Sequence, residues 1–210
     1  LLLRKKRESH VMSIKCAPSG KLVQSVLDNF PFHLTAGQQQ AFSDIEDDME
    51  GLIPMQRLIQ GDVGSGKTAV AALALAKIVE NGYQGALMAP TEVLAGQHYR
   101  TFQEFYKGLP IHVAYLSGQT KTKERNEILK GLKDGSIDVL IGTHALIEED
   151  VVFAHLGLVI TDEQHRFGVK QRKALETKGG YPHILVMTAT PIPLSLIHIS
   201  EPTRLRCISY

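Results

Sequence analysis

The strongest chemical signal in this chain is the run G-D-V-G-S-G-K-T at residues 61–68. It fits the pattern G-x-x-x-x-G-K-[ST], in which backbone N–H groups converge on the anionic oxygens of a phosphate. Glycines in the run keep side chains out of the way and permit positive φ. Lys67 then reaches the β- and γ-phosphates as a point charge, and Thr68 offers a hydroxyl to Mg²⁺ at the start of a helix. The predicted nucleotide contacts are Gly61, Asp62, Val63, Gly64, Ser65, Gly66, Lys67 and Thr68.

A second chemical group is the acidic pair Asp162 and Glu163, which directly follows the apolar run L-V-I-T. Adjacent carboxylates at the end of a buried strand suit magnesium-nucleotide chemistry, with Asp162 as the metal ligand and Glu163 polarising the attacking water. An acidic pair on its own is a weak signal, because such pairs are common on protein surfaces. His165 has no acid–base task that the sequence reveals, and a structural histidine is the alternative.

These groups require a scaffold of alternating strands and helices. R-L-I-Q precedes the glycine-rich run and A-V-A-A-L-A-L-A-K-I-V follows it, which is the order of strand, loop and helix that a phosphate loop needs. Five further apolar runs alternate with helical stretches, as in a parallel sheet covered by helices. Polar motifs end several of these runs, and the strand C-termini of a parallel sheet share one edge. The sequence therefore predicts an α/β fold with five polar motifs lining one crevice.

The N-terminal part of the chain is predicted to lead into this fold. Residues 1–30 are interpreted as a lead-in rather than a domain, and residues 31–194 as the nucleotide-binding domain. Thr35 is placed to cap a helix on which Phe42 and Ile45 share a face. The acidic run D-I-E-D-D-M-E that follows, at residues 44–50, is predicted to be a solvated face.

Composition limits the class of protein. With 210 residues, 43% hydrophobic and 21% charged, the chain is globular and long enough for one domain with a core. The net charge of +1 indicates neither nucleic acid nor membrane as a partner. No apolar run reaches the roughly 18 residues of a membrane span, and Cys16 and Cys207 fit no metal or redox spacing. We expect a cytoplasmic protein with reduced cysteines and no membrane partner.

The order of these motifs resembles that of superfamily-two helicases of the DExH kind. The phosphate loop, the D-E-Q-H box at residues 162–165 and T-A-T at residues 188–190 correspond to motifs I, II and III. Residues 25–194 are more closely similar to the first motor lobe of the RecG family of bacterial ATP-dependent DNA helicases, through A-P-T-E-V-L-A-G-Q-H, G-T-H-A-L-I, D-E-Q-H-R-F-G-V-K-Q-R and M-T-A-T-P-I-P. Transcription-repair coupling translocases share much of this pattern, but Gln164 and Ser65 favour the RecG family.

The resemblance implies a RecA-like phosphate-loop lobe that binds ATP and Mg²⁺. The implied catalytic residues are Lys67, Asp162, Glu163 and His165. Thr68 and Asp162 would hold the metal, and Gln38 matches the glutamine that reads the adenine edge in the family. Backbone N–H and hydroxyl groups of the later motifs are expected to contact DNA phosphates, which positions a strand without reading its sequence. The implied DNA-binding or coupling residues are Pro90, Thr91, Glu92, Gln97, His98, Ser117, Gly118, Gly142, Thr143, His144, Thr188 and Thr190.

The resemblance also implies a role for the intact protein and marks where this chain departs from the pattern. ATP hydrolysis would drive translocation on duplex DNA and remodelling of stalled forks and Holliday junctions, in DNA repair and recombination. The family's second RecA-like lobe, with its arginine fingers, and its N-terminal wedge domain are missing from this sequence. Residues 195–210 resemble vector or adapter read-through. Because no motif here supplies the arginine that phosphoryl transfer depends on, we expect the chain to bind ATP but to be nearly inactive alone.

Three other interpretations stay open at this level. The first is a lobe of a transcription-repair coupling translocase, whose gene would also encode an RNA-polymerase-binding module. The second is a non-motor phosphate-loop switch or binding module. It would bind nucleotide without DNA dependence and would leave A-P-T-E, G-T-H-A and T-A-T-P without a role. The third is a truncated product with no cellular role.

Overall fold

The computed structural model of the protein describes residues 14–62, 64–162 and 181–189, together with the backbone of residues 206–209. Across these residues the chain forms a seven-stranded sheet in the order β3-β4-β2-β5-β6-β1-β7. Its strands are β1 (Gln56–Gln60), β2 (Gln84–Met88), β3 (Val113–Leu116), β4 (Val139–Gly142), β5 (Leu156–Asp162), β6 (His183–Thr188) and β7 (Arg206–Ser209). The first six pair in parallel, and β7 runs antiparallel to β1.

Helices cover both faces of this sheet. They are α1 (Lys21–Asn29), α2 (Ala36–Met49), α3 (Lys67–Glu80), α4 (Glu92–Phe105), α5 (Thr122–Asp134) and a 3₁₀ turn (His144–Ile147). Residues of α1 to α4 share the larger core cluster with one face of the sheet, and α5 and the 3₁₀ turn pack against the other face. The predicted α/β class, with a mostly parallel sheet and helices on both faces, is confirmed, and each parallel strand falls on a predicted apolar run.

The helix α3 lies close against the sheet because small residues allow the approach. It is Ala-rich and buried along most of its length. Glycines face it from the strand side: a Cβ at Gly85 would lie 2.1 Å from Leu75 Cδ2, and a Cβ at Gly157 would lie 2.8 Å from Ile78 Cγ1. Real Cβ atoms do not approach neighbours so closely, so these glycines keep α3 against the sheet. The first turn of α3, with Lys67, follows the end of β1 after a short loop.

The helix α2 begins with a reciprocal cap. Thr35 Oγ1 accepts a hydrogen bond from the backbone N–H of Gln38 at 3.3 Å, and Gln38 Oε1 accepts one from the backbone N–H of Thr35 at 2.9 Å. Two N–H groups that the helix itself leaves unpaired are thereby satisfied. The predicted cap is confirmed, and Phe42 and Ile45 are both buried as expected.

Residues 14–20, within the predicted lead-in, lie against the end of α3. Glu80 accepts the backbone N–H groups of Gly20 and Leu22, each at 2.8 Å, and so caps α1 from outside. Asn81 Oδ1 accepts the backbone N–H of Ala17 at 2.7 Å. This segment and α1 therefore pack into the same core as the rest of the fold, and the domain boundary after residue 30 stays a prediction.

A lysine is completely buried in this junction. The Lys77 side chain is 0% exposed, and its ammonium donates to Glu50 Oε1 at 2.7 Å, to the carbonyl oxygen of Ala17 at 3.1 Å and to Ser19 Oγ at 3.2 Å. Glu46 Oε1 lies 3.5 Å from the same nitrogen. A buried ammonium needs both opposite charge and hydrogen-bond acceptors, and here it has both.

The acidic run at residues 44–50 supplies more than the partners of that lysine. Asp44 and Asp48, on the adjacent turns of α2, form ion pairs with Arg57 on β1. The run predicted as a solvated face therefore also has a structural role: its four paired carboxylates are 26–32% exposed, and Asp47 is exposed. The cations that it meets lie on α3 and β1, and the tertiary fold brings them under α2.

Two buried titratable groups sit beside this junction. Burial raises the pKa of the Cys16 thiol to about 11, although the nearby Lys77 ammonium lowers it in part. His183 Nδ1 accepts the backbone N–H of Met55 at 3.0 Å, and Nε2 donates to the carbonyl oxygen of Ile14 at 2.7 Å. Burial lowers the pKa of His183, and the hydrogen bond to Ile14 opposes that shift.

Two further features concern the ends of the chain and its environment. Strand β7 lies within residues 195–210 and occupies the sheet edge beside β1; the read-through origin of that segment stays a prediction. Within the described ranges, no helix combines the length and the apolar character needed to cross a lipid bilayer.

Candidate nucleotide site at the carboxyl edge of the sheet

The phosphate loop and Asp162, the first residue of the acidic motif, both lie at the carboxyl edge of the parallel strands. Strand β6 separates β1 from β5, with Gln60 paired to Thr188 and Asp162 paired to Met187. Two strand spacings of about 4.8 Å therefore separate the ends of β1 and β5. The backbone N–H of Gly61 donates to the carbonyl oxygen of Thr188 at 3.2 Å, which joins the phosphate loop directly to the end of β6.

The carboxyl edge divides into two halves. The predicted nucleotide motifs follow β1 and β5, and with β6 between them they form the β5–β6–β1 half. The predicted DNA-contacting motifs, apart from those on β6, follow β3, β4 and β2, which form the β3–β4–β2 half. Because β2 pairs with β5, the two halves meet in the middle of the sheet.

The phosphate loop presents a set of hydrogen-bond donors. Lys67 Nζ donates to the carbonyl oxygens of Gly61 at 2.5 Å and Asp62 at 2.8 Å. Ser65 Oγ is buried and has no hydrogen-bond partner among the described residues. Thr68 lies half-buried in the first turn of the 14-residue helix α3. An ammonium, an unpaired hydroxyl and a helix N-terminus in one loop form a donor set that fits a bound phosphate.

Gln38 packs against this loop from α2. Its Nε2 donates to the carbonyl oxygen of Ser65 at 2.9 Å, while its Oε1 accepts the N–H of Thr35, so protein groups engage both ends of the amide. Gly64 and Gly66 adopt left-handed φ values of 85° and 79°. A Cβ at Gly66 would lie 2.0 Å from the Gln38 nitrogen, so the missing side chain makes room for this contact. Adenine reading by Gln38 stays a prediction; each of these two bonds uses one of the two donor or acceptor sites that its end of the amide offers.

Asp162, the predicted metal ligand, has a partner that the sequence did not suggest. Its Oδ2 lies 2.7 Å from His98 Nε2, and the two side chains are 14% and 11% exposed. Because a carboxylate only accepts, the imidazole donates from Nε2. His98 was predicted to be a DNA-binding or coupling residue, which stays a prediction; in the structure it contacts the nucleotide half of the edge. No sequence signal links two residues that lie 64 positions apart.

The β2 end of the other half carries the first predicted DNA segment. Pro90 and Thr91 follow β2, and Thr91 Oγ1 accepts the backbone N–H of Leu94 at 3.2 Å to cap α4. Glu92 is the first residue of α4, and its carbonyl oxygen accepts a hydrogen bond from Tyr115 on β3 at 3.4 Å. Gln97 lies farther along α4, where its carbonyl oxygen accepts the hydroxyl of Thr101 at 3.0 Å. The segment is a capped helix start, with its N-terminus at the carboxyl edge.

The β3 and β4 ends supply the remaining segments. Ser117 accepts the N–H of Gln119 and Gly118 lies between them, in a tight turn after β3. A Cβ at Gly142 would lie 1.9 Å from the carbonyl oxygen of Leu116, so packing between β3 and β4 accounts for that glycine.

The two residues that directly follow β4, Thr143 and His144, differ in exposure. Thr143 is buried, and within the part of the chain that the structure describes its Oγ1 has no hydrogen-bond partner, whereas His144 is exposed at the start of the 3₁₀ turn. Roles of these residues in DNA contact stay predictions, as does the coupling role of the buried Thr188. Val63, Glu163, His165 and Thr190 lie outside the described residues.

The donors and acceptors present fit a magnesium-nucleotide complex better than a protein-only metal site. Among the described residues, no three His, Cys, Asp or Glu side chains are grouped as a metal cage would require. Mg²⁺ is usually held by one or two carboxylates together with substrate phosphates and water. The phosphate loop follows β1 and Asp162 ends β5, with β6 between these two strands, and this arrangement matches that requirement.

Comparisons with known proteins agree with this arrangement. The sequence model of the family described as DEAD/DEAH box helicase matches residues 35–197. The chain is 54% identical over 194 residues to the ATP-dependent DNA helicase RecG of Thermotoga maritima and 49% identical over 193 residues to that of Bacillus subtilis. Each alignment covers 92% of this chain but only 25% and 28% of the relative. The chain therefore spans about a quarter of the length of these relatives.

Solved structures show the same fold. RecG bound to a three-way DNA junction superposes with a TM-score of 0.80 at 50% identity, over 92% of this chain and 26% of that one. The helicase MrfA bound to DNA and AMPPNP gives a TM-score of 0.65 at 16% identity, over 90% of this chain and 30% of that one. The second likeness concerns the fold alone.

Proposed function

This chain belongs to the DEAD/DEAH box helicase family, and from that premise we propose that it is the ATP-binding lobe of a DNA-translocating motor. The observation that carries the proposal is the shared edge: β6 alone separates the phosphate loop from Asp162, and Gly61 bonds to the end of that strand. A non-motor phosphate-loop protein would need the same loop, but it would leave the polar segments of the β3–β4–β2 half without a role.

In this proposal each part of the β5–β6–β1 half has a task. Lys67 neutralises the β- and γ-phosphates, and the α3 N-terminus and the Ser65 hydroxyl supply further donors. Thr68 and Asp162 hold Mg²⁺, whose bound charge would offset the negative charge that develops on the phosphates. Glu163 is assigned to the attacking water and His165 to coupling, by the motif alone.

The substrate follows from the relatives and from the second half of the edge. The RecG relatives are ATP-dependent DNA helicases, and one of them was solved on a three-way junction. We propose that the intact protein couples ATP hydrolysis to remodelling of branched DNA, in repair and recombination in the cytoplasm. A second RecA-like lobe and a wedge domain would act with this lobe.

Nucleotide binding by the 210-residue chain tests the first part of this proposal. Lys67→Ala removes a charge-assisted contact, which is worth roughly 1.5–3 kcal/mol, so affinity for Mg²⁺ and a non-hydrolysable ATP analogue should fall on the order of 10- to 100-fold. Lys123→Ala, on the exposed side of α5, is the matched control and should bind as the wild type does. Isothermal titration calorimetry measures both, and equal affinity of the wild type and Lys67→Ala would refute the assignment of the loop.

Hydrolysis tests the second part. The chain alone should turn over ATP barely, because an arginine that stabilises the transition state contributes roughly 10³- to 10⁵-fold in such enzymes. Fast, DNA-stimulated turnover by residues 1–210 would contradict that expectation.

A further inference from the structure

A side-chain contact between described residues joins the two halves of the carboxyl edge. The proposed roles in nucleotide binding give this contact no task. His98 lies on α4, whose first turn begins at the predicted DNA segment after β2, and Asp162 ends β5. Their hydrogen bond, at 2.7 Å, runs from one half of the edge to the other.

The imidazole is held from several sides. Its ring meets Phe102, one turn further along α4, edge-on with ring centroids 6.5 Å apart and an interplanar angle of 81°. Phe102 is fully buried and packs in turn against Tyr106, whose hydroxyl donates to the carbonyl oxygen of Ala72 on α3 at 2.7 Å. The donor is therefore fixed on a helix that is itself bonded to the phosphate-loop helix.

A fixed donor constrains a carboxylate. Since the hydrogen bond engages Oδ2, it restrains the orientation of the Asp162 carboxylate. Partners of this kind, which bond to a metal ligand rather than to the metal, typically change metal affinity or activity by 10- to 100-fold when removed.

We propose that His98 is a positioning residue that orients the Asp162 carboxylate for the magnesium-nucleotide complex from the helix that begins at the DNA-facing segment. The inference rests on the proposed function, because it requires that Asp162 serve the bound metal. It goes further because the affinity for nucleotide in the presence of Mg²⁺ would then depend on the position of α4. A shift of α4 along the edge then reaches the metal ligand through one hydrogen bond.

The alternative is that His98 and Asp162 form a buried polar pair that only stabilises the fold. The two roles differ in what removal changes. A stabilising pair affects the melting temperature, whereas a positioning residue also affects the gain in nucleotide affinity that Mg²⁺ brings. The gain is the ratio of the dissociation constants for the non-hydrolysable ATP analogue measured in EDTA and in Mg²⁺.

Calorimetry on the 210-residue chain separates these roles with five variants, four single and one double. His98→Leu removes the donor, and the gain should fall on the order of tenfold while the dissociation constant in EDTA is unchanged. His98→Gln places an amide N–H near the same position and should keep most of the gain. Tyr106→Phe removes the bond between α4 and α3 without touching Asp162, and should keep all of it. In an Asp162→Asn background, His98→Leu should have no further effect, because residues that act as a unit are not additive.

Each outcome decides the question. If Mg²⁺ raises the nucleotide affinity of His98→Leu as much as that of the wild type, and only the melting temperature falls, the proposal is overturned. His98 and Asp162 are then a pair that only stabilises the fold. Should His98→Leu not fold, a loss in His98→Gln equal to that in Asp162→Asn would overturn it as well. If the wild type binds the analogue equally well with and without Mg²⁺, the assignment of Asp162 fails, and with it this inference.

Discussion

The contact between Gln38 and the phosphate loop gives the sharpest test of how the loop is built. Gly64 and Gly66 both adopt left-handed backbone, but their surroundings differ. A Cβ at Gly64 would meet nothing within 4 Å, whereas a Cβ at Gly66 would lie 2.0 Å from Gln38 Nε2. Gly64→Ala therefore measures backbone strain alone, and Gly66→Ala measures strain together with displacement of the Gln38 amide.

The expected magnitudes follow from the bonds involved. Left-handed backbone costs an alanine roughly 1–2 kcal/mol relative to glycine, which is the expected loss for Gly64→Ala. In Gly66→Ala the amide must also swing away from Ser65 and Thr35, and two lost hydrogen bonds at about 1 kcal/mol each bring the total to roughly 3–4 kcal/mol. Gln38→Ala alone should cost about 2 kcal/mol, for the same two bonds.

A double-mutant cycle then isolates the clash. In a Gln38→Ala background the obstacle is absent, so Gly66→Ala should cost only its strain, and the double variant should lose roughly 3–4 kcal/mol rather than the 5–6 kcal/mol of a simple sum. Urea unfolding of the nucleotide-free chain measures all four free energies. Equal losses for Gly64→Ala and Gly66→Ala, or strict additivity with Gln38→Ala, would refute the account of this contact.

Two further predictions concern the junction between residues 14–20 and α3. Replacing Glu46 and Glu50 together by Gln strips the buried Lys77 ammonium of its carboxylates and should cost roughly 3–5 kcal/mol, whereas Lys77→Met leaves two partly exposed carboxylates that water can reach and should cost less. Thermal unfolding gives the order, and a larger loss in Lys77→Met would contradict it. The Cys16 pKa of about 11, against an ordinary value of 9.0, means that the unfolded chain releases this proton first as pH rises. The wild type should therefore lose stability relative to Cys16→Ala between pH 9 and 11; parallel curves of unfolding free energy against pH would contradict this.

The features that could be predicted from sequence are local or follow from connectivity. The phosphate loop and the cap at Thr35 and Gln38 each involve only a few consecutive residues, so their structures follow from local backbone geometry. The meeting of Gly61 and Asp162 at one edge follows from alternating strands and helices, because crossover connections force the strands to run parallel. None of these depends on how one helix is rotated against another.

The features that could not be predicted depend on that rotation. The bond between His98 and Asp162 requires a particular face of α4 to turn toward the end of β5, and helical spacing alone does not specify it. The lysine at position 77 lies on a helix that is apolar on nearly all sides, so periodicity does not show which turn meets α2. The carboxylates of α2 pair with Lys77 and Arg57 while staying partly exposed, and the sequence of α2 does not show those pairs because both cations lie on other elements.

One consequence of α3 reaches beyond the nucleotide site. Its first turn carries Lys67. At its far end Lys77 and Glu80, with Asn81 directly after the helix, hold the backbone of residues 17–22. At 1.5 Å per residue its 14 residues make a strut roughly 21 Å long, and an intact helix hardly stretches or shortens along its axis. A displacement of the Lys67 end along the helix axis would therefore move the segment of residues 17–22 at the other end by nearly the same distance.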